Sequence, residues 1–374
     1  MITSTNWASF GNHEPSDYSS VEAIRIADNI VASQRLNGGW KRKLKVGDIW
    51  GDLVAIRATQ LQLEQDYDVA ILENFSYQSA SLDEGSAASY IQYLLRVAES
   101  TQSQVYIDAA KLGLNYILMA QYGTGGWPQT YPSLVGYGAY VTLNDKAMTS
   151  AMTLVKDIID HDYIAVDDTT KLEAIESLDK AVSYILRSQI MIGGVLSGWC
   201  AQHDPITYEP LGARSFELPS VGGYVTVLAV KFLMSIDNPS CDVVKSVWAC
   251  LEWLDENQIK DKAWVKAYDK GLKSQITIQI KEDPLSSEDP KDYTYTEAGY
   301  DKKLVDSVES DPLLWARFYD LDNGRPLFST WDGLAQRSEE LIDYSLRIGY
   351  SWYGSWAKTV INSSSWKAAN PKKH

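Results

Sequence analysis

Residues 105–127 read VYIDAAKLGLNYILMAQYGTGGW, and this stretch decides the fold. Ala110, Leu114, Ile117 and Leu118 recur at the spacing that lines apolar side chains along one face of an α-helix. A glutamine, Gln121, follows, then a turn with the pair Gly125-Gly126, then a tryptophan. Glycine accepts the positive φ that closes a helix C-terminus and lets the chain turn back. The same order occurs upstream in VEAIRIADNIVASQRLNGGW (21–40), where Ile24, Ala27, Ile30 and Val31 carry the period and Gly38-Gly39 the turn. It occurs again in AIESLDKAVSYILRSQIMIGGVLSGW (174–199), with Gly193-Gly194. One helix-turn unit recurring along the chain predicts an array of helical hairpins closed on itself.

Further amphipathic stretches run from Ala87 to Ala98, Ala147 to Ile159, Val221 to Met234 and Val243 to Asn257. Clear period-two alternation is confined to QITIQI (275–280), which reads as a short hairpin or loop excursion. The pattern is therefore all-α, a toroid of helical hairpins with long irregular loops and little β. From about Ile259 to Pro312 the apolar period lapses, and fifty-odd polar residues make a poor core. The expected organisation is one toroid domain over 21–358 with a solvated insertion at about 259–312, in which Tyr293, Tyr295 and Tyr300 could edge a groove. An N-terminal extension, 1–20, precedes it and a basic tail, 359–374, follows.

The chain has 374 residues, 45% hydrophobic, enough for a sizeable core. A net charge of −15 leaves no basic stripe for phosphates, so nucleic acid is not an expected partner. No run of eighteen apolar residues occurs, so no membrane span is expected. MITSTNWASFGNHEPSDYSS lacks a basic segment followed by an apolar one and does not read as a signal peptide. Cys200, Cys241 and Cys250 form neither a disulfide framework nor a metal spacing. Cys241 and Cys250 lie on one predicted helix, roughly 13 Å apart, beyond disulfide reach.

The densest chemistry lies in GWCAQHDPITYEPLGARSFELPS, Gly198 to Ser220, where Pro205, Pro210 and Pro219 exclude a helix. WCAQHD and ARSFELPS, together with GGWPQTYP (125–132), WARFYDLDNGRPLFS (315–329) and GYSWYGSW (349–356), resemble the family 10 polysaccharide lyases, which are pectate lyases. The resemblance runs from about Ala23 to Trp356 and implies an (α/α)-type barrel. It also implies anti β-elimination on α-1,4-linked polygalacturonate with Ca²⁺ assistance, giving a 4,5-unsaturated uronate end. The implied partner is an acidic polysaccharide, and the implied setting is secreted or periplasmic. A monomer, or a module of a larger secreted enzyme, is expected.

Elimination from a polyuronate removes the C5 proton, α to a carboxylate, and expels the C4 oxygen, so cationic groups must spread the charge that develops. The resemblance implies Arg214 as the base, Arg317 as a carboxylate fork, and Asp83, Glu84, Asn144 and Asp145 as calcium ligands. Lys146, Trp331 and His203 complete the expected substrate-binding set. Two departures stand out. Glu84 and Lys146 occupy places where the family commonly has Asn and Asp, and Lys146 has no lone pair to offer a cation. Trp331 replaces an arginine, exchanging carboxylate pairing for stacking on a sugar face.

Read without the resemblance, Asp83 and Asn144 at helix entrances are ordinary caps. In the same way Arg214 pairs with Glu217 or Asp204, His203 is a satisfied loop histidine, and Trp127, Trp199, Trp315 and Trp352 are core. Two other functions compete with the lyase: a non-catalytic pectin-binding module that keeps the fold, and an inverting glycoside hydrolase built on a pair of carboxylates.

Overall fold

A computed structural model describes residues 1–42, 44, 46, 80–268, 275–280, 291–296, 299–307 and 313–372, the backbone alone at 275–280 and 291–296. The described residues are mainly helical, as the sequence pattern predicts. They form two compact units, Met1–Ser183 and Tyr184–His374.

The first unit holds α1 (Val21–Ala32), α2 (Ser86–Thr101), α3 (Gln104–Ala120), α4 (Ala147–Asp160) and most of α5 (Asp168–Ser188). Ser20 caps α1, its hydroxyl accepting the Ala23 N–H. The buried stripe of α1 is Ala23, Ile26, Ala27 and Ile30, one step round from the predicted one, with Ile24 and Val31 on its flanks. Helix α2 is buried almost all round and packs on α1, α3 and α4. Gly113 of α3 allows the closest approach, since a Cβ there would lie 2.6 Å from Ile91. The N-terminal residues are packed as well: Ile2 and Tyr18 are buried, and Trp7 stacks on Tyr90.

A common set of side-chain bonds explains the recurring motif. Gln34 Nε2 donates to the carbonyl of Gly38 in its own turn (3.1 Å) and to that of Ala109 in α3 (2.9 Å). Gln121 Nε2 donates likewise to Gly125 (2.9 Å) and to Ser177 in α5 (2.9 Å). Trp40 and Trp127 turn back so that each Nε1 donates to a last-turn carbonyl, Ile30 and Ile117, both at 2.8 Å. Carbonyls of a last turn lack the usual i+4 partner, so the indole adds to their bonding inside the core; the Ile30 carbonyl also accepts the Ser33 N–H at 3.2 Å. Gly125 adopts φ +111°, and a Cβ there would stand 2.1 Å from the Lys180 carbonyl oxygen.

The second unit repeats the device. Gln189 Nε2 donates to Ser197 (2.9 Å) and to Ser246 (3.3 Å) in α7 (Cys241–Glu256), while Trp199 Nε1 donates to Ile185 (2.8 Å). Trp315 Nε1 donates to Leu254 near the end of α7 (2.6 Å). This is a fourth helix-turn-tryptophan unit, and its turn is where the insertion enters. Helix α6 (Gly223–Met234) packs on α7. Pairs of two-residue strands tie the intervening loops: Val221–Gly222 to Phe318–Tyr319, Trp315–Ala316 to Tyr353–Gly354, and Gln202–His203 to Pro210–Leu211.

The insertion is more regular than its composition suggests. Lys262–Tyr268 pairs antiparallel with Tyr300–Asp306, and Gln275–Ile280 with Lys291–Thr296. Arg347 fixes its base by donating to both oxygens of Asp301, at 2.7 and 2.9 Å. Tyr300 is half-buried, its carbonyl accepting from the Tyr344 hydroxyl (2.8 Å); the side chains of Tyr293 and Tyr295 lie outside the described residues.

Candidate active site

In the first unit two turns of the same shape lead into helices. Leu82-Asp83-Glu84-Gly85 enters α2 and Leu143-Asn144-Asp145-Lys146 enters α4, and the two turns pack together. Each places two consecutive residues in the left-handed region: Glu84 and Gly85 at φ 56° and 67°, Asp145 and Lys146 at 47° and 65°. For a residue with a Cβ that conformation costs about 1–2 kcal/mol. The N-cap residues are Gly85 and Lys146, and neither supplies a side-chain cap. Asp83, Glu84, Asn144 and Asp145 therefore do not cap these helices.

Asp83 is 2% exposed and fully engaged. Its Oδ1 accepts the Glu84 N–H (3.0 Å), and its Oδ2 lies 2.9 Å from Arg42 Nε. Arg42 Nη2 donates to Glu84 Oε1 at 2.7 Å, so one guanidinium spans both carboxylates. Burial raises the Asp83 carboxyl above the usual carboxylate range, with the Arg42 charge opposing it. Asn144 Nδ2 donates to Asp145 Oδ2 (3.2 Å), and Lys146 is exposed.

In the second unit the turn Arg214–Glu217 closes with the Glu217 N–H on the Arg214 carbonyl (2.8 Å). This brings the two side chains face to face. Arg214 donates through Nε to Oε2 (2.9 Å) and through Nη2 to Oε1 (2.6 Å), while Tyr350 Oη donates to Oε1 (2.7 Å). Burial alone would raise the Glu217 carboxyl, but Arg214, Tyr350 and Arg317 hold it below the usual value, so it is ionised at neutral pH. Both guanidiniums lie over the Tyr350 ring, Arg317 at 4.7 Å and Arg214 at 5.7 Å from its centroid. Two arginines around one carboxylate leave a local charge of +1.

The chain resembles known proteins in sequence and in fold. The profile of the pectic acid lyase family matches residues 34–287 and 285–361. The chain belongs to that family. Among solved structures, an aspartate-to-alanine mutant of a family 10 polysaccharide lyase from Cellvibrio cellulosa, in complex with trigalacturonic acid, is similar at 23% identity. That likeness has a TM-score of 0.70 and covers 100% of both chains. A family 10 polysaccharide lyase from the same organism is similar at 25% identity, with a TM-score of 0.67 and 98% of both chains covered. These likenesses show the fold and with it the (α/α) class. A search of curated proteins gives no match.

Within the pectic acid lyase frame, several expected residues need correction. His203, expected to touch substrate, is wholly buried: Nε2 accepts the Cys200 N–H and Nδ1–H donates to the Tyr208 carbonyl, both at 2.9 Å. Burial lowers its pKa to about 4, so it is a neutral staple of the 200–208 loop. Asp204 does not meet Arg214, because its Oδ1 accepts from Ile206 and Thr207, both at 2.7 Å. Cys200 is buried and its thiol pushed up by burial, which removes it as a nucleophile. Trp127, Trp199, Trp315 and Trp352 are core. Trp331 is half-buried in edge contact with Phe216, its Nε1 donating to Ser345 (2.8 Å).

The calcium expected in this family does not fit the acidic turns as they stand. Both oxygens of Asp83 are already bonded, Glu84 is turned to Arg42, and a lysine stands where a third carboxylate would help. Among the described residues no group of three or more His, Cys, Asp and Glu could hold a metal ion. Arg42 and Tyr350 were not legible as site residues. Arg42 lies in the basic run KRK, which reads as solvated, and Tyr350 is one of 23 tyrosines.

Proposed function

We propose that this polysaccharide lyase is a pectate lyase that cleaves α-1,4-linked polygalacturonate by anti β-elimination. The observation that carries the reading is the second unit's cluster of Arg214, Arg317, Glu217 and Tyr350. Its charge of +1 suits a uronate carboxylate despite the chain's overall −15. Glu217 fixes the plane of Arg214, and Arg317 offers a second fork to the sugar carboxylate. Arg214 takes the C5 proton. The C5–H electrons form the C4=C5 bond, the C4–O bond breaks, and the leaving oxygen is protonated from water. The Glu217 carboxylate favours the charged form of Arg214, so the neutral guanidine this step needs is a transient minority form, and arginine charge beside the sugar carboxylate spreads that of the enolate-like intermediate. Trp331 stacks on a neighbouring sugar where the family has an arginine. A polymer of this size is met outside the cytoplasm, so the setting we propose is secreted or periplasmic.

The test is incubation with polygalacturonate, following absorbance of the unsaturated uronate. A rise that Arg214→Ala abolishes supports the reading. Tight binding of oligogalacturonide without that absorbance would instead make the protein a pectin-binding module. Reducing ends without the double bond would make it a hydrolase.

A further inference from the structure

We infer that Arg42 is the resident cation of the acidic turns, holding by a covalently attached guanidinium the carboxylates that a divalent ion would otherwise bridge. This rests on the lyase reading only for its consequence in catalysis; the binding claim stands on the geometry of the first unit.

A carboxylate as buried as Asp83 is stable in ionised form only when paired and hydrogen-bonded. Arg42 supplies the pair, with Nε at 2.9 Å from Asp83 Oδ2 and Nη2 at 2.7 Å from Glu84 Oε1. A cation arriving at these turns would have to draw Asp83 Oδ2 and Glu84 Oε1 off the guanidinium and Asp83 Oδ1 off the Glu84 N–H. It would also enter beside Lys146. Three carboxylates, Asp83, Glu84 and Asp145, against Arg42 and Lys146 leave a net charge of −1. Calcium sites gain their affinity from carboxylate charge and several converging oxygens, and here two of three negative charges are already neutralised. Sequence and structure agree on the direction: Lys146 takes a ligand away, and Arg42 occupies what remains. The guanidinium cannot dissociate, so its charge is present at any calcium concentration. In the first turn the ion pair holds Glu84 in its strained left-handed conformation.

The experiment is calorimetric titration of CaCl₂, with Tb³⁺ luminescence as a second probe, into the whole protein and into Arg42→Met and Arg42→Gln. Far-ultraviolet circular dichroism and melting identify which variants are folded. Wild type is expected to show no binding below millimolar calcium. Each folded variant should gain binding at least tenfold tighter, and the gain should be lost again when Asp83→Asn is added. Micromolar binding by wild type overturns the inference without reference to any variant. A folded Arg42 variant that binds no more tightly than wild type overturns it too, whether both bind or neither does. In parallel, chelator-treated and calcium-supplemented wild type are assayed on polygalacturonate. Equal rates of unsaturated product are expected, and a rate that collapses with chelator and returns with calcium overturns the inference. Absence of product under both conditions counts against the lyase reading alone, and the titrations then decide Arg42.

Discussion

Glu217→Gln removes one charge from the best-defined network in the molecule and changes almost no volume. The wild-type carboxylate accepts four bonds, from the Arg214 backbone N–H, Arg214 Nε, Arg214 Nη2 and Tyr350 Oη. Removing one partner of a buried ion pair costs about 3–5 kcal/mol. Arg214 is 35% exposed and regains water, and the glutamine keeps one acceptor oxygen, so the expected loss is about 2 kcal/mol. Because the folded carboxyl lies below its ordinary value, its contribution is complete above the unfolded value of about 4.3 and is lost as pH falls through the lower folded one. The stability gap between wild type and variant should therefore be constant from pH 7 to 5 and close in more acid solution. Once Arg214 is free to swing by about 1 Å, turnover should drop on the order of a hundredfold. Urea denaturation at several pH values and absorbance assays of the same preparations measure both effects. Turnover within twofold of wild type, or a gap that does not change with pH, would refute the role given to Glu217.

Arg214→Ala should fold, still bind oligogalacturonide and lose essentially all elimination, with lysine a poor rescue because it lacks the planar fork; substantial turnover in the alanine variant ends the base assignment. His203→Ala should cost about 2–3 kcal/mol by leaving two buried backbone groups unbonded, while turnover per folded molecule is unchanged. The same change should flatten the part of the stability profile lost between about pH 6.5 and 4, where the wild-type imidazole stays neutral in the fold and charges in the unfolded chain; a lowered turnover per folded molecule would restore His203 to the site. Gln121→Ala frees the Gly125 and Ser177 carbonyls and should cost about 2 kcal/mol in a denaturant melt; a cost below about 0.5 kcal/mol would show that the glutamine bridges are incidental.

The helices were legible because burial of one face writes itself into spacing, and the predicted Val243–Asn257 matches Cys241–Glu256 closely. The Gln–Gly–Trp order was legible as a repeat, but its meaning was not. That a glutamine bridges two carbonyls and an indole closes a helix end depends on which backbone groups come close in space. The fourth unit escaped notice because its turn is interrupted. At the site, the Arg214–Glu217 pair was readable from a three-residue separation within one turn. Arg42 could not be joined to Asp83 in this way, since 41 residues separate them and nothing in a basic run marks which cation turns inward. His203 was misassigned because a histidine in a polar loop looks available until both ring nitrogens are found on the backbone.

The tryptophan bonds also bear on how the chain tolerates growth. In the other units six to ten residues lie between the helix end and the tryptophan, whereas between α7 and Trp315 there are 58. By chain statistics the added closure entropy rises only with the logarithm of loop length, about 2 kcal/mol for this expansion. The Trp315–Leu254 bond fixes both ends of the excursion whatever passes between them, so segments of other lengths and sequences should be exchangeable at this point without disturbing the helices behind it.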